Sequence, residues 1–303
     1  MPREMSDEVS ATIGGRAIRL THPERVLDAE SGLTKADLLA HYDRVAERML
    51  PHLAGRPLTL VRCPRGVGED CFYQRHLDLG ELPPGLEAVD TGDQEPAVRV
   101  ADARGLGALV QLGVLEVHVW GSRADALDRP DRLVFDLDPG AGAGWTSVVS
   151  AARTVRERLE ELGLESWAKL TGGVGLHVVA PLERRQGWGT LKAFARVLAE
   201  QLAEEAPERF TASNRKAARE GKVFLDHLRN ARSATTICPF STRARAGVSV
   251  ALPLRWDELA RAHAYDVRAA ARRLATLKGD PWEGFFEARQ SITKAARREL
   301  GLE

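Results

Sequence analysis

Two aspartates separated by one residue stand out in the segment RLVFDLDPG, which covers residues 132–140. Side chains two positions apart in a β-strand share a face, so Asp136 and Asp138 would project side by side while Phe135 and Leu137 pack in the core. Neighbouring carboxylates repel each other unless they share a proton or bind a divalent cation. The pair therefore suggests a cation site, although two solvated aspartates at an exposed strand end would give the same short motif.

A glycine-rich motif, TGGVGLHVVA, starts at Thr171. Small residues let backbone N–H groups approach an anion closely, and Thr171 and His177 could donate hydrogen bonds to phosphate oxygens. The motif is not a P-loop, because it lacks the Lys-Ser/Thr pair and a strand follows the glycines instead of a helix. It predicts a phosphate-binding turn or, alternatively, a plain hairpin with a core histidine.

A third aspartate, Asp226, interrupts the apolar run KVFLDHLRN, and Arg243 and Arg245 follow downstream. A carboxylate in an apolar strand is costly unless a cation or hydrogen-bond donors meet it. A capping aspartate and a solvated basic loop are the alternatives. Three aspartates, a phosphate-binding turn and two arginines could work together in one reaction. Two divalent ions held by the aspartates would bind a triphosphate and activate a 3′ hydroxyl, and the arginines would neutralise the phosphates.

The elements that would position these residues alternate between strands and helices. A helix is predicted over Thr34–Leu53, because Thr34 and Asp37 can cap it and apolar residues recur at helical spacing. A strand-like run within Leu109–Trp120 contains His118. The remaining predicted strands are Leu58–Arg62, Leu133–Leu137, Ala168–Leu170, Leu176–Ala180 and Val223–Asp226, and the remaining helices are Ser147–Leu162, Thr190–Glu205, Asp257–Arg261 and Tyr265–Lys278. The pattern indicates a mixed α/β fold without repeats.

Composition narrows the class of protein. The 303 residues include 43 basic and 43 acidic side chains, a balance that argues against indiscriminate nucleic-acid coating but allows a local basic cleft. Neither a membrane-spanning stretch nor a secretory signal is found, so a cytoplasmic protein without a membrane partner is expected. Cys63, Cys71 and Cys238 are odd in number and lack metal-finger spacing, which predicts neither a disulfide framework nor a zinc site.

Several segments together match one family in consistent order from about Leu20 to Leu259. They are LTHPERVLDAESGLTKADLLAHYDRVAERMLPHLAGRPLTLVRCPRGVGEDCFYQRH, LGVLEVHVW, LVFDLDPG, TGGVGLHVVAPL and KVFLDHLRNARSATTICPFSTRARAGVSVALPLRWDEL. This set closely resembles the polymerase domain of the bacterial end-joining DNA ligases of LigD type, within the archaeo-eukaryotic primase superfamily.

The resemblance implies an α/β (α+β) primase-polymerase fold, with a catalytic antiparallel sheet flanked by helices and an N-terminal α/β lobe. We expect a flexible tail over residues 1–14 and a single domain over 15–303. Within that domain, the resemblance places the N-terminal lobe at about 15–110, the catalytic core at about 111–260 and C-terminal helices at about 261–303. No ligase or nuclease motif is found, and the starting Met favours a stand-alone polymerase over an excised domain.

The resemblance also implies template-directed nucleotidyl transfer at gaps or broken ends, with Mn²⁺ or Mg²⁺ in a two-metal site and a preference for ribonucleotides. The roles that it implies for individual residues fall into three groups. These are metal ligation by Asp136, Asp138 and Asp226; contact with the incoming NTP or dNTP by His118, Thr171, Gly175, His177 and Arg243; and DNA binding by Arg25 and Lys35 at a downstream 5′ phosphate and by Phe72 and Tyr73 at the template. A Ku-like end-binding protein and a separate ligase are expected partners, at the nucleoid.

The chain departs from the family pattern at three positions. Val174 replaces the lysine of the S-G-x-K-G-L-H loop, Ala234 replaces a lysine of some relatives, and His227 replaces an aromatic residue after the third aspartate. The missing lysine predicts weaker triphosphate binding. A catalytically weak DNA-end-bridging protein is therefore one alternative function, and a metal-dependent phosphodiesterase is another.

Overall fold

The computed structural model describes residues 8–77 and 80–302 and divides them into two compact units. The first comprises residues 8–119 together with Ile237–Ala251 and Tyr265–Thr276. The second comprises Trp120–Thr236, Leu252–Ala264 and residues 277–302. Because each unit is assembled from separate stretches of chain, the expected consecutive segments at about 15–110, 111–260 and 261–303 do not coincide with the units.

Sixteen strands occur in the described residues, and most of them are short. They are β1 (Glu8–Ile13), β2 (Arg16–Thr21), β3 (Val26–Asp28), β4 (Leu33–Thr34), β5 (Leu58–Arg62), β6 (Phe72–Gln74), β7 (Leu86–Val89), β8 (Ala97–Val100), β9 (Val114–Trp120), β10 (Arg132–Pro139), β11 (Trp167–Leu170), β12 (Leu176–Pro181), β13 (Phe210–Thr211), β14 (Val223–Asp226), β15 (Thr235–Ile237) and β16 (Pro253–Leu254).

Six α-helices and three short 3₁₀ helices complete the described elements. The α-helices are α1 (Lys35–Leu53), α2 (Ala103–Gln111), α3 (Trp145–Glu161), α4 (Trp188–Glu205), α5 (Val267–Thr276) and α6 (Lys294–Glu299), and the 3₁₀ helices are Ala124–Ala126, Lys216–Arg219 and Leu259–Arg261. The structure confirms the expected mixed α/β class with antiparallel sheets. None of the described helices is long and apolar enough to cross a membrane.

In the first unit, strands β9, β5, β8 and β7 are neighbours in that order, and β6 adds to β5. Helix α1 begins with a full capping box: the Thr34 side chain accepts from the Asp37 backbone N–H, and the Asp37 carboxylate accepts from the Thr34 backbone N–H. Such a box satisfies donors that the first helical turn leaves unpaired. The buried stripe of α1 includes Leu38 and Val45, and α1 packs against α2 and α5.

In the second unit, six strands form one sheet in the order β13-β14-β10-β12-β11-β16. All pairings are antiparallel except the parallel pair β13–β14. Helices α3 and α4 both pack against the central strand β10. Phe135 and Leu137 are fully buried, as the alternation along β10 requires, and the aspartates project from the other face.

The expectation of a flexible tail over residues 1–14 is wrong for residues 8–13. These residues form β1, which pairs antiparallel with β2 from Glu8–Thr21 to Ile13–Arg16. The sequence does not show this strand because only Ile13 of β1 is fully buried and the opposite face of the two-stranded ribbon is exposed, which gives the segment a polar composition. Residues 1–7 lie outside the described residues.

One smaller expectation also needs correction. Cys63 and Cys71 form a disulfide, which an odd cysteine count does not exclude, and Cys238 is the free buried thiol among the described residues. The strand-like run predicted within Leu109–Trp120 is confirmed as β9, and Leu109–Gln111, at the start of that range, ends helix α2. Apolar runs are ambiguous there, because a buried helix and a buried strand share the same composition.

Candidate active site

A row of four polar side chains crosses the sheet of the second unit. Asp226 on β14 is paired with Asp136 on β10, Asp136 with His177 on β12, and His177 with Lys169 on β11. Directly paired residues project from the same face about 4.5–5.5 Å apart. All four are buried, so the antiparallel register collects four ionisable groups on one face of the sheet.

Asp138 lies two residues further along β10, on the face that carries Asp136. The glycine-rich turn before β12 approaches it closely: a Cβ added to Gly175 would lie 2.6 Å from the Asp138 Oδ1 atom and 2.8 Å from the Leu137 carbonyl oxygen. Such contacts are too short for any side chain, so position 175 requires glycine. The structure thereby brings the first two motifs of the sequence into contact.

Thr171 closes the glycine-rich turn. Its hydroxyl donates to the Gly175 carbonyl oxygen at 3.0 Å and accepts from the Gly173 backbone N–H at 3.2 Å. Gly172 has a φ of +72°, a conformation that glycine adopts without steric cost. The side chain of Val174, at the tip, is 66% exposed, so it is not part of the core.

Arg229 bridges two of the aspartates. Its Nε atom lies 3.3 Å from Asp136 Oδ2 and 3.6 Å from Asp226 Oδ2. The other oxygen of Asp226 accepts from the Leu228 backbone N–H at 2.7 Å. Sequence reasoning missed Arg229 and Lys169, although a cation three residues after a strand-end aspartate is a signal that could have found the first.

The environment drives the aspartate pKa values apart. Burial alone would raise the pKa of Asp136, but the close imidazole of His177 and the positive charges of Arg229 and Lys169 lower it to about 2. Burial, and then repulsion from Asp136 and Asp226, raises the pKa of Asp138 to about 6. Burial also raises the pKa of Asp226. The cluster therefore holds more negative charge than its neighbours neutralise.

His177 is neutral at pH 7. Burial, and then the positive charge of Lys169, lowers its pKa to about 4. Its Nε2 atom lies 3.3 Å from Asp136 Oδ1. The Nδ1 atom of His177 and the Oδ1 atom of Asp136 have no hydrogen-bond partner in the described part of the chain. Buried polar atoms without partners are costly, and a bound ligand would satisfy them.

The carboxylates of the site are the kind of ligand that a divalent cation binds, but the side chains are not arranged around a common centre. Within residues 8–77 and 80–302, no group of three or more His, Cys, Asp or Glu side chains is placed to hold a metal ion. The carboxylates of Asp136, Asp138 and Asp226 are nonetheless the oxygen ligands that Mg²⁺ and Mn²⁺ accept. A bound cation would partner the Asp136 Oδ1 atom, which makes no hydrogen bond within the described residues, and would lower the raised pKa of Asp138.

Two of the expected nucleotide contacts lie in the first unit, around a buried glutamate. His118 Nε2 lies 2.8 Å from Glu116 Oε2, and Arg243 Nε lies 3.2 Å from Glu116 Oε1. Both His118 and Glu116 lie on β9 and point to the same side, because they are two residues apart. Sequence reasoning assigned no role to Glu116.

The expected DNA-binding residues also lie in the first unit. Lys35 is buried, and its ammonium group donates to the Thr21 carbonyl oxygen at 2.9 Å and to Gln111 Oε1 at 2.8 Å. Burial, and then repulsion from Arg25, lowers the pKa of Lys35 to about 8. Arg25 itself donates to the Pro64 carbonyl oxygen at 3.2 Å. Lys35 is therefore not a solvated first-turn lysine.

The aromatic pair is exposed, as a stacking surface must be. The exposed fraction is 44% for Phe72 and 73% for Tyr73. The Arg62 guanidinium lies 5.7 Å from the Phe72 ring centroid, and the Tyr73 and His118 ring centroids are 6.2 Å apart. Exposed aromatic rings beside cations are typical of single-stranded nucleic-acid surfaces.

Comparison with known proteins decides the family. A model of the LigD primase-polymerase domain matches residues 34–282. The chain belongs to the LigD primase-polymerase domain family. As a member of this family it is a polymerase-type nucleotidyltransferase, which confirms the expected family and enzyme class.

The solved structures and the curated proteins agree with the LigD assignment. The polymerase domain from Mycobacterium tuberculosis ligase D, in complex with DNA, matches with a TM-score of 0.82 and 32% identity, over 90% of this chain and 99% of that one. The multifunctional non-homologous end joining protein LigD of Pseudomonas aeruginosa is 38% identical over 96% of this chain and 35% of its own length. The LigD protein of Mycolicibacterium smegmatis is 38% identical over 80% of this chain and 32% of its own length. The chain thus spans about a third of the length of these relatives.

Proposed function

We propose that this chain is a DNA-repair polymerase that adds nucleotides, directed by a template, to a 3′ end at gaps or broken DNA ends during end joining. The observation that carries the proposal is the buried row Asp226–Asp136–His177, with Asp138 beside it, in a chain of the LigD primase-polymerase family. The relatives named for end joining support the setting, and activity on DNA ends would place the protein at the nucleoid.

Asp136, Asp138 and Asp226 would hold one or two Mn²⁺ or Mg²⁺ ions. When bound, the ions supply charge to bind the triphosphate and lower the pKa of the attacking 3′ hydroxyl. The protein's own contribution is to keep Asp136 ionised through Arg229 and to hold the neutral His177 against it. A cation would also favour the ionised form of Asp138 over the protonated form that burial promotes.

We further propose contact with the incoming nucleotide for Thr171, Gly175 and His177, and likewise for His118 and Arg243. The tight turn at Gly175 supports the first set, because the glycine packs directly against Asp138 and so brings the turn that Thr171 closes beside the proposed metal ligands. We further propose that ribonucleotides are preferred over deoxyribonucleotides. Competition between labelled ATP and dATP on one primer–template measures this preference directly.

DNA would be held by Arg25 and Lys35 at a downstream 5′ phosphate and by Phe72 and Tyr73 at the template. The charge repulsion between Lys35 and Arg25, which contributes to the lowered pKa of Lys35, and the exposed aromatic pair support these roles. We propose a Ku-like end-binding protein and a separate DNA ligase as partners, because the relatives are named for non-homologous end joining. Retention of these proteins from purified mixtures on a DNA end would test the partnership.

Primer extension on a gapped template with labelled nucleotide and Mn²⁺ tests the function. A longer product is expected from the wild-type chain and none from Asp226→Asn, whereas Asp257→Asn, at an exposed position outside the site, should extend normally. A shorter product would instead indicate a phosphodiesterase.

One observation favours the alternative of a catalytically weak end-bridging protein. Val174 places an exposed uncharged side chain where the family pattern has a lysine. That protein would leave the primer unchanged in the extension assay while still retarding 5′-phosphorylated DNA in a gel. The polymerase proposal fails if this outcome is found with both Mn²⁺ and Mg²⁺ at saturating nucleotide.

A further inference from the structure

Glu116 is a buried carboxylate that joins two separate segments of the first unit. Its Oε2 atom lies 2.8 Å from His118 Nε2, on the same strand. Its Oε1 atom accepts from the Ala244 backbone N–H at 2.8 Å and lies 3.2 Å from Arg243 Nε. One carboxylate thus holds an imidazole, a guanidinium and a backbone amide that the chain supplies from positions more than a hundred residues apart.

The position of Glu116 is energetically expensive unless these contacts offset it. Every residue of β9 is buried, and a carboxylate in such a strand loses most of its hydration. Burial would raise the pKa of Glu116, but the contacts with His118 and Arg243 outweigh this effect and lower it, so the group is ionised at neutral pH. A hydrophobic residue would fill the same space without needing three partners.

The segment that carries Arg243 is fastened to β9 at several points. The Val117 backbone N–H donates to Ser241 Oγ at 2.8 Å, and the Thr242 hydroxyl donates to the Leu115 carbonyl oxygen. The backbone at Ser241 and Thr242 is therefore held without help from Glu116. Glu116 adds one bond to the backbone, at Ala244, and the direction of two side chains, the His118 imidazole and the Arg243 guanidinium.

We propose that Glu116 is a positioning residue for the incoming nucleotide: it orients His118 and Arg243 so that both side chains meet the same ligand. The inference rests on the proposed function, in which these two residues contact the nucleotide. The Glu116 carboxylate can only accept a hydrogen bond, so a neutral His118 carries its proton on Nε2. This hydrogen bond also fixes the plane of the imidazole ring. The contact at Nε of Arg243 leaves the terminal guanidinium nitrogens to meet phosphate oxygens.

Substitution by glutamine tests the role with little change in shape. Glu116→Gln should raise the KM for nucleotide about tenfold, change kcat less than about twofold and leave the Kd for DNA unchanged, because the residue orients binding groups and takes no part in the chemistry. Glu87→Gln, at an exposed position of β7, is the matched control and should behave as the wild type. A wild-type KM in Glu116→Gln overturns the inference.

Two further measurements separate positioning from a purely structural role. In a His118→Ala, Arg243→Ala background, Glu116→Gln should have almost no additional effect on KM, because interacting residues show non-additive effects. Fully additive effects would overturn the inference. Nitrogen-15 NMR of the unliganded wild-type protein at high pH should show His118 protonated at Nε2, and protonation at Nδ1 overturns the inference without any variant.

The NMR measurement uses the wild-type protein, so it remains valid if Glu116→Gln fails to fold. Glu116→Asp is a second variant for that case. Its shorter side chain retains the charge but cannot reach both partners, so a raised KM is again expected, and an unchanged KM overturns the inference. A wild-type protein without extension activity would overturn the proposed function. An active wild type whose KM for nucleotide does not change on substitution of Glu116 overturns this inference alone.

Discussion

At the scale of single residues, the candidate site places two carboxylates of one strand in opposite electrostatic surroundings. Asp136 is surrounded by His177, Arg229 and Lys169, and its pKa falls to about 2. For Asp138, burial and then repulsion from Asp136 and Asp226 outweigh the attraction of Arg229 and Arg219, so its pKa rises to about 6. Ligand sites often carry such unfavourable charge, since binding will neutralise it.

The opposite shifts predict opposite effects on stability. The penalty for ionising Asp138 is absent below its unfolded pKa of 3.8 and fully present above about 6, so stability falls as the pH rises through this window. Asp138→Asn should therefore raise the free energy of unfolding by on the order of 1 kcal/mol at pH 8, a value that allows for partial solvent screening, and change it little at pH 4.

Asp136→Asn is the matched comparison. Ionised Asp136 stabilises the fold above pH 3.8, and this contribution is lost only as the pH falls through about 2, so the variant should lose on the order of 2 kcal/mol at pH 8. Urea denaturation in EDTA measures both variants. Equal signs for Asp136→Asn and Asp138→Asn would contradict the electrostatic account.

Val174 gives the second prediction at this scale. Its side chain is 66% exposed, so a lysine can be accommodated without disturbing the core. Val174→Lys should lower the KM for nucleotide about tenfold, because a charge-assisted contact to phosphate contributes about 1.5–3 kcal/mol. Val9→Lys, at an exposed valine on β1, is the control. If KM does not change, another cation already occupies the place of the family's lysine.

Spacing along the chain predicted some site residues and could not predict others. Asp136 and Asp138 share a face by the two-residue period of a strand, which is local information. Lys169 and Arg229 join the site through the registers β11–β12 and β10–β14, which depend on how distant segments pair. No local pattern encodes that pairing, so Lys169 emerges only from the fold, and local spacing could have placed Arg229 beside Asp226 but not beside Asp136.

At the scale of elements, predictions were best where both ends of an element carry a signal. Strands β5 and β14 have the expected bounds, and α1 begins at the expected Thr34 cap. The β1–β2 ribbon and α6 were missed because each buries few side chains, which leaves little periodicity to read. The Cys63–Cys71 disulfide was missed because the odd number of cysteines was interpreted as evidence against a disulfide framework.

The disulfide gives a prediction for the loop that precedes Phe72 and Tyr73. Cys71→Ser should lower the free energy of unfolding by about 2–3 kcal/mol, because the crosslink restricts a short loop in the unfolded chain. The difference should vanish in dithiothreitol, which reduces the wild type. Thiol titration of the denatured, unreduced wild type should find only Cys238 free. Three free thiols would show that the crosslink is absent in solution.

At the scale of the whole molecule, the proposed DNA binding must come from local charge, because the 43 basic and 43 acidic residues cancel. Arg25 and Lys35 form one such local group. The electrostatic repulsion between them contributes to the lowered pKa of Lys35, which shows that their charges act on the same space. A 5′-phosphate dianion placed there would relieve this repulsion, whereas a 5′-hydroxyl would not.

The chain should therefore bind a 5′-phosphorylated end more tightly than a 5′-hydroxyl end, by roughly tenfold to a hundredfold at low salt for a contact of about 1.5–3 kcal/mol. Lys35→Ala should remove most of this preference, and Lys278→Ala, at an exposed position, should not. Increasing salt should weaken binding to both ends and reduce the preference.

The preference should also depend on pH. The pKa of Lys35 is about 8, so the unliganded side chain is charged below this pH and neutral above it, and the preference for the 5′-phosphorylated end should decline between pH 7 and pH 9. Fluorescence anisotropy with the two labelled ends across a salt series and a pH series measures each of these effects. Equal affinity for both ends under all conditions would show that Lys35 only supports the packing of α1 against Thr21 and Gln111.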